Sequence, residues 1–269
     1  MAGEAIVVTS GKGGVGKTTV TANLGIALAM AGKRVAVVDA DIGLRNLDVV
    51  LGLENRIVYD LVHVIEGYCR LRQALVKDKR LNGLYLLPAA QTRDKDAVKP
   101  EQMRSLVHTL KEGFDYVLVD CPAGIEQGFR NSVAGADRAL VVTTPEMSAI
   151  RDADRIIGLV EAHGLPVPQL IINRYRPKMV RKGDMVGRED IEEILSIPLI
   201  GIVPESEEIV VSTNRGNPVA LEKKSMIGNA FEGIAERIQG MNTPMLDLDQ
   251  DNGLFAKMKR LMGMGRAEA

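Results

Sequence analysis

The sequence predicts an α/β protein with a doubly wound, mostly parallel sheet flanked by helices. Short apolar runs recur along the chain, segments of helix length separate them, and a glycine-rich loop follows the first run. The runs lack polar alternation, which is typical of strands covered on both faces. Strands and helices in repetition imply right-handed crossovers. The predicted strands lie in AIVVTS, RVAVVDAD, LYLLPA, DYVLVDC, RALVVTT, PQLIIN and PLIGIVP.

Two predicted helices bound the domain. The first, KTTVTANLGIALAMAG, follows the glycine-rich loop and ends at Gly32, a typical helix stop. The last lies between Glu222 and Gln239 and should pack against the sheet. The stretch MNTPMLDLDQDNG behind it carries a proline, a glycine and three aspartates, as linkers do. We therefore expect a globular domain over residues 1–240, a linker over 241–252 and an amphipathic tail helix over 253–264.

Composition limits the class of protein. The 269 residues carry a net charge of −1, so any attraction to polyanions must come from a local patch. The two cysteines, Cys69 and Cys121, make neither a disulfide framework nor a metal pair, which fits a reduced cytosol. The first residues run straight into a strand, and no apolar stretch reaches the ~20 residues of a spanning helix. We expect a protein that is soluble or touches membranes only at their surface.

The stretch SGKGGVGKTT, residues 10–19, matches the phosphate-binding pattern G-x-x-x-x-G-K-[ST] between a predicted strand and a predicted helix. Glycines let backbone N–H groups approach phosphates, and the helix N-terminus favours negative charge. Lys17 should neutralise the β- and γ-phosphates, Thr18 should ligate Mg²⁺, and Thr19 should serve the α-phosphate. A chance glycine-rich turn is the alternative, which this context disfavours. The predicted nucleotide contacts are Gly11, Lys12, Gly13, Gly14, Val15, Gly16, Lys17, Thr18 and Thr19.

Aspartates close two of the predicted strands. Asp120 is placed to hold Mg²⁺ through its water shell, and the turn 122–124 behind it can approach the γ-phosphate. Asp41 is the better candidate to orient the attacking water, whereas Asp39 can help position the Mg²⁺ shell. The alternatives are a helix cap for Asp120 and a solvated strand end, more credible for Asp39 than for Asp41. The predicted metal-binding residues are Thr18, Asp39, Asp41 and Asp120.

Lys12 is a second lysine in a loop whose pattern requires one. A cation among glycines is costly unless it meets a negative charge. From the residues alone, two interpretations are equal: Lys12 binds its own nucleotide or solvent, or it reaches the phosphates of another molecule. In the second case it would neutralise transition-state charge as an arginine finger does.

The stretch KGGVGKTT resembles the deviant Walker A loop of the MinD/ParA class of P-loop ATPases. The resemblance implies that Lys12 crosses a dimer interface to phosphates bound by the other subunit. ATP would then hold a homodimer together, and its hydrolysis would release it. The catalytic residues on this view are Lys12, Lys17, Asp41 and Asp120.

Longer stretches, among them QTRDKDA, DCPAGIEQGF and RKGDMVGREDIEEIL, are similar to the septum-site-determining MinD family. The resemblance implies an ATPase that uses ATP and Mg²⁺, recruits the division inhibitor MinC and is released by MinE. It assigns Asp41 and Asn46 to a first switch and residues 120–124 to a second. It places Asp152 and Asp154 on the surface that binds MinC, although a solvated helix start explains these residues equally well without the family.

The nucleotide base should lie where two further strands end. Asn173 and Arg174 end IINRY, and Pro204 and Glu205 end the last strand. Ligands bind in that crevice in open α/β sheets. In ATPases that resemble this chain, the corresponding asparagine bonds adenine. The motif N-K-x-D, which guanine selectivity would call for, is absent from the sequence.

The tail predicts an interfacial membrane anchor. Five apolar side chains share an arc of about 120° on a helix, with the basic ones outside it, and MinD-family proteins end in such a segment. The free energy gained when one tail inserts into a membrane is about equal to the free energy that ordering the tail costs. Firm binding therefore needs the two tails of a dimer. Docking on its own domain is the alternative. The predicted membrane residues are Leu254, Phe255, Met258, Leu261 and Met262 in the arc and Lys257, Lys259 and Arg260 outside it.

The sequence therefore predicts an ATP-switched dimer that moves between the cytoplasm and anionic lipids on the cytoplasmic face of the inner membrane. A ParA-type DNA-partitioning ATPase and a flagellar-number regulator are the alternatives within the superfamily, and a metabolic ATP-dependent ligase is the alternative outside it. The basic residues are scattered rather than clustered, so nucleic-acid binding is not expected.

Overall fold

The apolar runs form strands, as predicted. The structure, a computed structural model, describes residues 2–222, 225–246 and 248, which contain one eight-stranded sheet. The strands are β1 (Glu4–Thr9), β2 (Val35–Asp39), β3 (Val76–Lys77), β4 (Leu84–Leu87), β5 (Tyr116–Asp120), β6 (Arg138–Thr143), β7 (Gln169–Tyr175) and β8 (Leu199–Pro204). Their order is β3-β4-β2-β5-β1-β6-β7-β8, and all pairs are parallel except β3 with β4.

The sequence analysis missed β3. This strand has two residues, Val76 and Lys77, which pair antiparallel with Leu86 and Tyr85 of β4. Two residues are too few to give an apolar run or an alternation, so no sequence signal marks them.

Helices cover both faces of the sheet. They are α1 (Lys17–Met30), α2 (Leu47–Leu51), α3 (Leu61–Ile65), α4 (Leu71–Ala74), α5 (Pro100–Lys111), α6 (Gln127–Val133), α7 (Met147–Ala162), α8 (Pro177–Lys182), α9 (Arg188–Leu195), α10 (Glu207–Asn214) and α11 (Met226–Ile238). The last helix begins later than predicted, because Ser225 caps it by accepting the N–H groups of Ile227 and Gly228.

Alternate residues of each strand enter opposite layers of the core. In β1, Ala5 and Val7 pack with α5, α6, α7 and α9, whereas Ile6 and Val8 pack with α1 and α11. Strands buried on both faces have no polar side, which explains the continuous apolar runs in the sequence. The doubly wound, mostly parallel sheet is confirmed.

The topology places a crevice at the carboxyl end of β1. This strand lies between β5 and β6, with β2, β4 and β3 beyond β5 on one side and β7 and β8 beyond β6 on the other, so the chain leaves β1 toward one edge for β2 and later crosses to its other side for β6. Open α/β sheets bind ligands at such a reversal of strand order. The loop 10–16 between β1 and α1 lies there.

The first part of the predicted linker is bound to the domain. Arg237 donates from Nη1 to the carbonyls of Thr243 (3.1 Å) and Pro244 (3.0 Å) and from Nε to that of Ile200 in β8 (2.6 Å). Thr243 also donates to Glu236 (2.8 Å). Residues 243–244 therefore lie against the globular domain. The predicted tail helix, 253–264, with all its predicted membrane residues, lies outside the described residues.

Within the described residues, no helix is long and apolar enough to cross a membrane.

We predict that Gly201→Ala destabilises the domain by about 1–3 kcal/mol, because the added methyl group would overlap Ile234 in the packed layer between β8 and α11. Gly158→Ala is the matched control: it lies in α7 with open space around it and should raise stability by about 0.5–1 kcal/mol. Urea unfolding of both variants measures the two changes. Equal changes in the free energy of unfolding of the two variants would contradict this packing.

Candidate nucleotide-binding site

The loop 10–16 joins β1 directly to α1 and presents backbone N–H groups at the helix N-terminus. Gly14 and Gly16 have φ angles of 79° and 95°, which strain any residue with a side chain. A Cβ at position 16 would also overlap the amide of Asn173. The loop therefore keeps the open backbone that phosphate groups require.

The amine of Lys17 lies inside this loop. The residue is buried, and its Nζ donates to the Ser10 hydroxyl at 2.9 Å. Ser10 in turn donates to the carbonyl of Lys12 at 2.8 Å. The amine is thus held among the loop residues by a hydroxyl, where the β- and γ-phosphates of a bound nucleotide would meet it.

Asp39 and Asp120 lie side by side at the carboxyl ends of β2 and β5. They are register partners and are 1% and 2% exposed. The Thr21 hydroxyl donates to Asp120 at 3.1 Å. Two buried carboxylates that face each other are unfavourable without a cation.

The pKa values of both acids reflect this environment. Burial raises the pKa of Asp120 to about 7, and repulsion by Asp39 adds to the shift against the lowering effects of Thr18, Lys17 and Thr21. Burial also raises the pKa of Asp39 to about 6, although the backbone N–H groups of Leu47, Asp41 and Asn46 oppose it. Oxygen ligands of this kind suit Mg²⁺. Among the described residues, no group of three or more His, Cys, Asp or Glu is arranged to hold a metal ion.

Asp39 is not a solvated strand end. Its carboxylate accepts the N–H groups of Asp41 (3.0 Å), Asn46 (3.1 Å) and Leu47 (3.1 Å), so it holds both ends of the loop 40–46. Asp41 begins this loop, in the position predicted for the residue that orients water. The carboxylate that faces Asp120 therefore also fixes the shape of the predicted first switch.

Lys12 points away from Lys17. Its Nζ donates to the Ser148 hydroxyl at 2.9 Å and pairs with Glu146 at 3.3 Å, with 40% of its side chain exposed. In this single chain the second lysine thus meets a carboxylate on the segment where α7 begins. The amine lies at the rim of the site.

The predicted base-binding residues lie together, but Asn173 has another contact. It is buried, and its Nδ2 donates to the carbonyl of Val15 in the phosphate loop at 2.7 Å. Arg174 has a φ angle of 56°, and its Nε lies 3.9 Å from Glu205, which directly follows Pro204. A cleft of about 1040 Å³ is lined by Arg174, Glu205 and Glu146, among others. The crevice at these strand ends is therefore open to solvent beside the loop.

Asp152 and Asp154 lie on α7, and the loop touches the first of them. A Cβ at Gly11 would overlap the Asp152 carbonyl, so the loop packs on the α7 backbone. The Asp154 side of the helix is exposed. The predicted partner surface and the phosphate loop therefore share one helix.

Sequence analysis missed four residues of this site: Ser10, Thr21, Glu146 and Ser148. The sequence position of Thr21 could have indicated it, because it follows Lys17 by one helical turn and so lies on the same face of α1. The position of Glu146 could also have indicated it, since it follows the end of the strand β6 beside β1. Nothing in the sequence pairs it with Lys12, which is 134 residues away.

Comparison with known proteins agrees with this geometry. The CobQ/CobB/MinD/ParA nucleotide binding domain matches residues 6–219. The septum site-determining protein MinD of Bacillus subtilis is 57% identical over 265 residues, which cover 97% of this chain and 99% of that protein.

Solved structures are similar as well. A chain of the MinC:MinD cell division protein complex of Aquifex aeolicus has a TM-score of 0.85 and 50% identity, covering 91% of this chain and 98% of its own length. The septum site-determining protein MinD of Pyrococcus horikoshii, complexed with Mg-ADP, has a TM-score of 0.80 and 31% identity, covering 87% and 95%. The similarity spans both the phosphate loop and the strand ends described above.

The two raised pKa values predict a pH effect on the nucleotide-free protein. Because folded pKa values of about 6 and 7 exceed the ordinary 3.8, the acids stabilise the fold fully below pH 3.8. That stabilisation is lost as the pH rises through both values. The free energy of unfolding of Asp120→Asn, measured relative to that of the parent, should therefore rise by about 1–3 kcal/mol from pH 5 to pH 8.

Urea unfolding in EDTA at pH 5 and pH 8 measures this gain. Glu193→Gln, which changes an exposed acid on α9, should show no such rise. A gain for Asp120→Asn that stays constant or shrinks with pH would contradict the interpretation.

Proposed function

Because the chain belongs to the septum-site-determining MinD group of the CobQ/CobB/MinD/ParA nucleotide-binding family, we propose that it is a Mg²⁺-dependent ATPase that helps to place the division septum. In this proposal ATP makes it dimerise, the dimer binds the membrane surface and recruits MinC, and MinE stimulates its release.

One observation carries the proposal: the two lysines of the phosphate loop point in different directions. Lys17 is buried and donates to Ser10, whereas Lys12 lies at the rim beside Glu146. A single nucleotide in this loop is served by Lys17 alone. The amine at the rim is free to leave an exposed carboxylate, and a second triphosphate on a facing copy would attract it.

The chemistry follows from the residues around the loop. The Mg²⁺ ion, when bound, would offset charge on the β- and γ-phosphates, and Thr18, Asp120 and Asp39 are the residues that would hold it. Asp41 orients a water molecule whose oxygen bonds to the γ-phosphorus as the bond to the bridging oxygen breaks. One proton of the water stays on the inorganic phosphate, the other passes to solvent, and ADP and phosphate leave. Lys17, with Lys12 from the partner copy, stabilises the charge that develops.

The MinC surface is assigned to Asp152 and Asp154. Asp154 is exposed on α7, and the solved MinC:MinD complex contains a chain similar to this one. Glu146, directly before α7, and Ser148, in its first turn, precede these residues, and both contact Lys12. When Lys12 moves to a facing nucleotide, the start of α7 loses two contacts, which couples the nucleotide state to this surface.

The membrane step is assigned to the tail, residues 253–264. Five apolar and three basic side chains there suit the surface of anionic lipid. One tail binds weakly, whereas two tails on one dimer gain about 10²–10⁴ in avidity. Hydrolysis ends pairing and with it the avidity, so the protein returns to the cytoplasm.

We predict that Lys12→Ala abolishes ATP-dependent dimerisation but keeps nucleotide binding, because Lys17 and the loop backbone remain. Light scattering with ATP and with ADP measures the mass, in an Asp41→Ala background that slows hydrolysis. The control Lys79→Ala removes an exposed lysine beside β3 and should dimerise like the parent. A Lys12→Ala protein that still pairs with ATP would refute the role of Lys12.

We predict that liposomes of anionic phospholipid sediment the protein with ATP and not with ADP, and that Leu261→Asp abolishes this binding. Ala256→Asp adds the same charge outside the apolar arc and should bind more strongly than Leu261→Asp. Sedimentation that is equal with ATP and ADP would exclude nucleotide control of membrane binding.

A further inference from the structure

Two helices that begin at different parts of the nucleotide site end at the same place. The helices α2 and α10 lie side by side, and each is followed by a glycine with positive φ, Gly52 at 66° and Gly216 at 59°. A Cβ at either glycine would overlap the backbone of the other. The carboxyl ends of the two helices therefore touch.

Arg80 joins these two ends. Its Nη2 donates to the carbonyl of Leu51, the last residue of α2, at 2.6 Å. Its Nη1 donates to the carbonyl of Gly216, behind α10, at 2.8 Å, and approaches Asn217 at 3.5 Å. One guanidinium thus binds a carbonyl from each helix end.

Asp78 holds the guanidinium in this orientation. The residue is 1% exposed, and its Oδ2 accepts from Nη2 of Arg80 at 2.6 Å while Oδ1 accepts from the Arg80 backbone at 2.7 Å. The Asp78 N–H donates to Leu84 at the start of β4 (3.0 Å). The joint formed by Arg80, Asp78, Leu51 and Gly216, called the Arg80 clamp below, is therefore anchored to the sheet.

The other ends of the two helices lie at the candidate nucleotide-binding site. The N–H of Leu47, where α2 begins, binds the Asp39 carboxylate beside Asp120. The helix α10 begins behind Glu205, which pairs with Arg174 on the base side. One helix thus starts at the predicted first switch, and the other starts beside the residues predicted to bind the base.

We infer that Arg80 is a positioning residue that makes α2 and α10 respond together to the γ-phosphate. A shift of the loop 40–46 moves α2, and the clamp passes the movement to α10. The inference rests on the proposed nucleotide switch. Lysine cannot replace arginine here, because an ammonium is a point charge and lacks the planar fork that spans both carbonyls and the carboxylate.

Hydrogen exchange of the α2 and α10 amides tests the inference, with Mg-ADP and with Mg²⁺ and a non-hydrolysable ATP analogue. We expect the parent protein to differ between the two states in both helices. Arg80→Lys should keep the difference in α2 and lose it in α10. A merely structural role of Arg80 would instead speed exchange in α10 equally in both states.

Arg56→Lys is the matched control. Arg56 donates to the carbonyl of Lys77 at 2.6 Å in the same region but belongs to no part of the clamp, so it should behave like the parent. A second series in the Lys12→Ala background excludes protection by a partner copy. An α10 difference that persists in Arg80→Lys, or is missing from the parent, overturns the inference. The proposed function is tested separately: if the parent protein does not hydrolyse ATP, the proposed function is wrong.

Discussion

The rest of the site depends on two carboxylates buried face to face, Asp39 and Asp120. They lie at the ends of neighbouring strands, and burial raises the pKa of both, with repulsion by Asp39 adding to the shift of Asp120. The fold keeps this unfavourable pair next to a buried lysine and a helix N-terminus. A site with that balance is completed by a divalent cation and a polyanion together, because either alone leaves charge uncompensated. Asp39 additionally holds the loop 40–46, so a cation bound by Asp39 would share its carboxylate with the loop.

If Lys12 reaches a facing copy, as proposed, it must first leave the partners that it has within its own chain. In the single chain it meets Glu146 and Ser148, both at the surface. Such an exposed ion pair contributes little, typically below about 1 kcal/mol, so a triphosphate competes with it easily. A buried partner would have held the lysine too firmly for exchange between two states. The weakness of this contact is therefore compatible with a switch.

The sequence predicts most of the framework and the phosphate loop, because both depend on local patterns: continuous apolar runs for buried strands, and glycine spacing for the loop. The family assignment, to which long stretches contribute, is confirmed. Prediction failed where a feature is short or depends on distant residues. The two-residue strand β3 has no period, and the contact of Asn173 with Val15 joins residues 158 positions apart. The Arg80 clamp joins three segments of the chain, and no local pattern indicates it.

The two edges of the sheet determine how easily a strand of another molecule can be added to it. At one edge, β3 offers only two residues for pairing, and at the other a carbonyl of β8 is bound by Arg237. Exposed strand edges are templates for strand addition between molecules. Long, unoccupied edges would allow molecules to join edge to edge. The short edge at β3 and the bound carbonyl at β8 leave less backbone for a strand of another molecule to pair with.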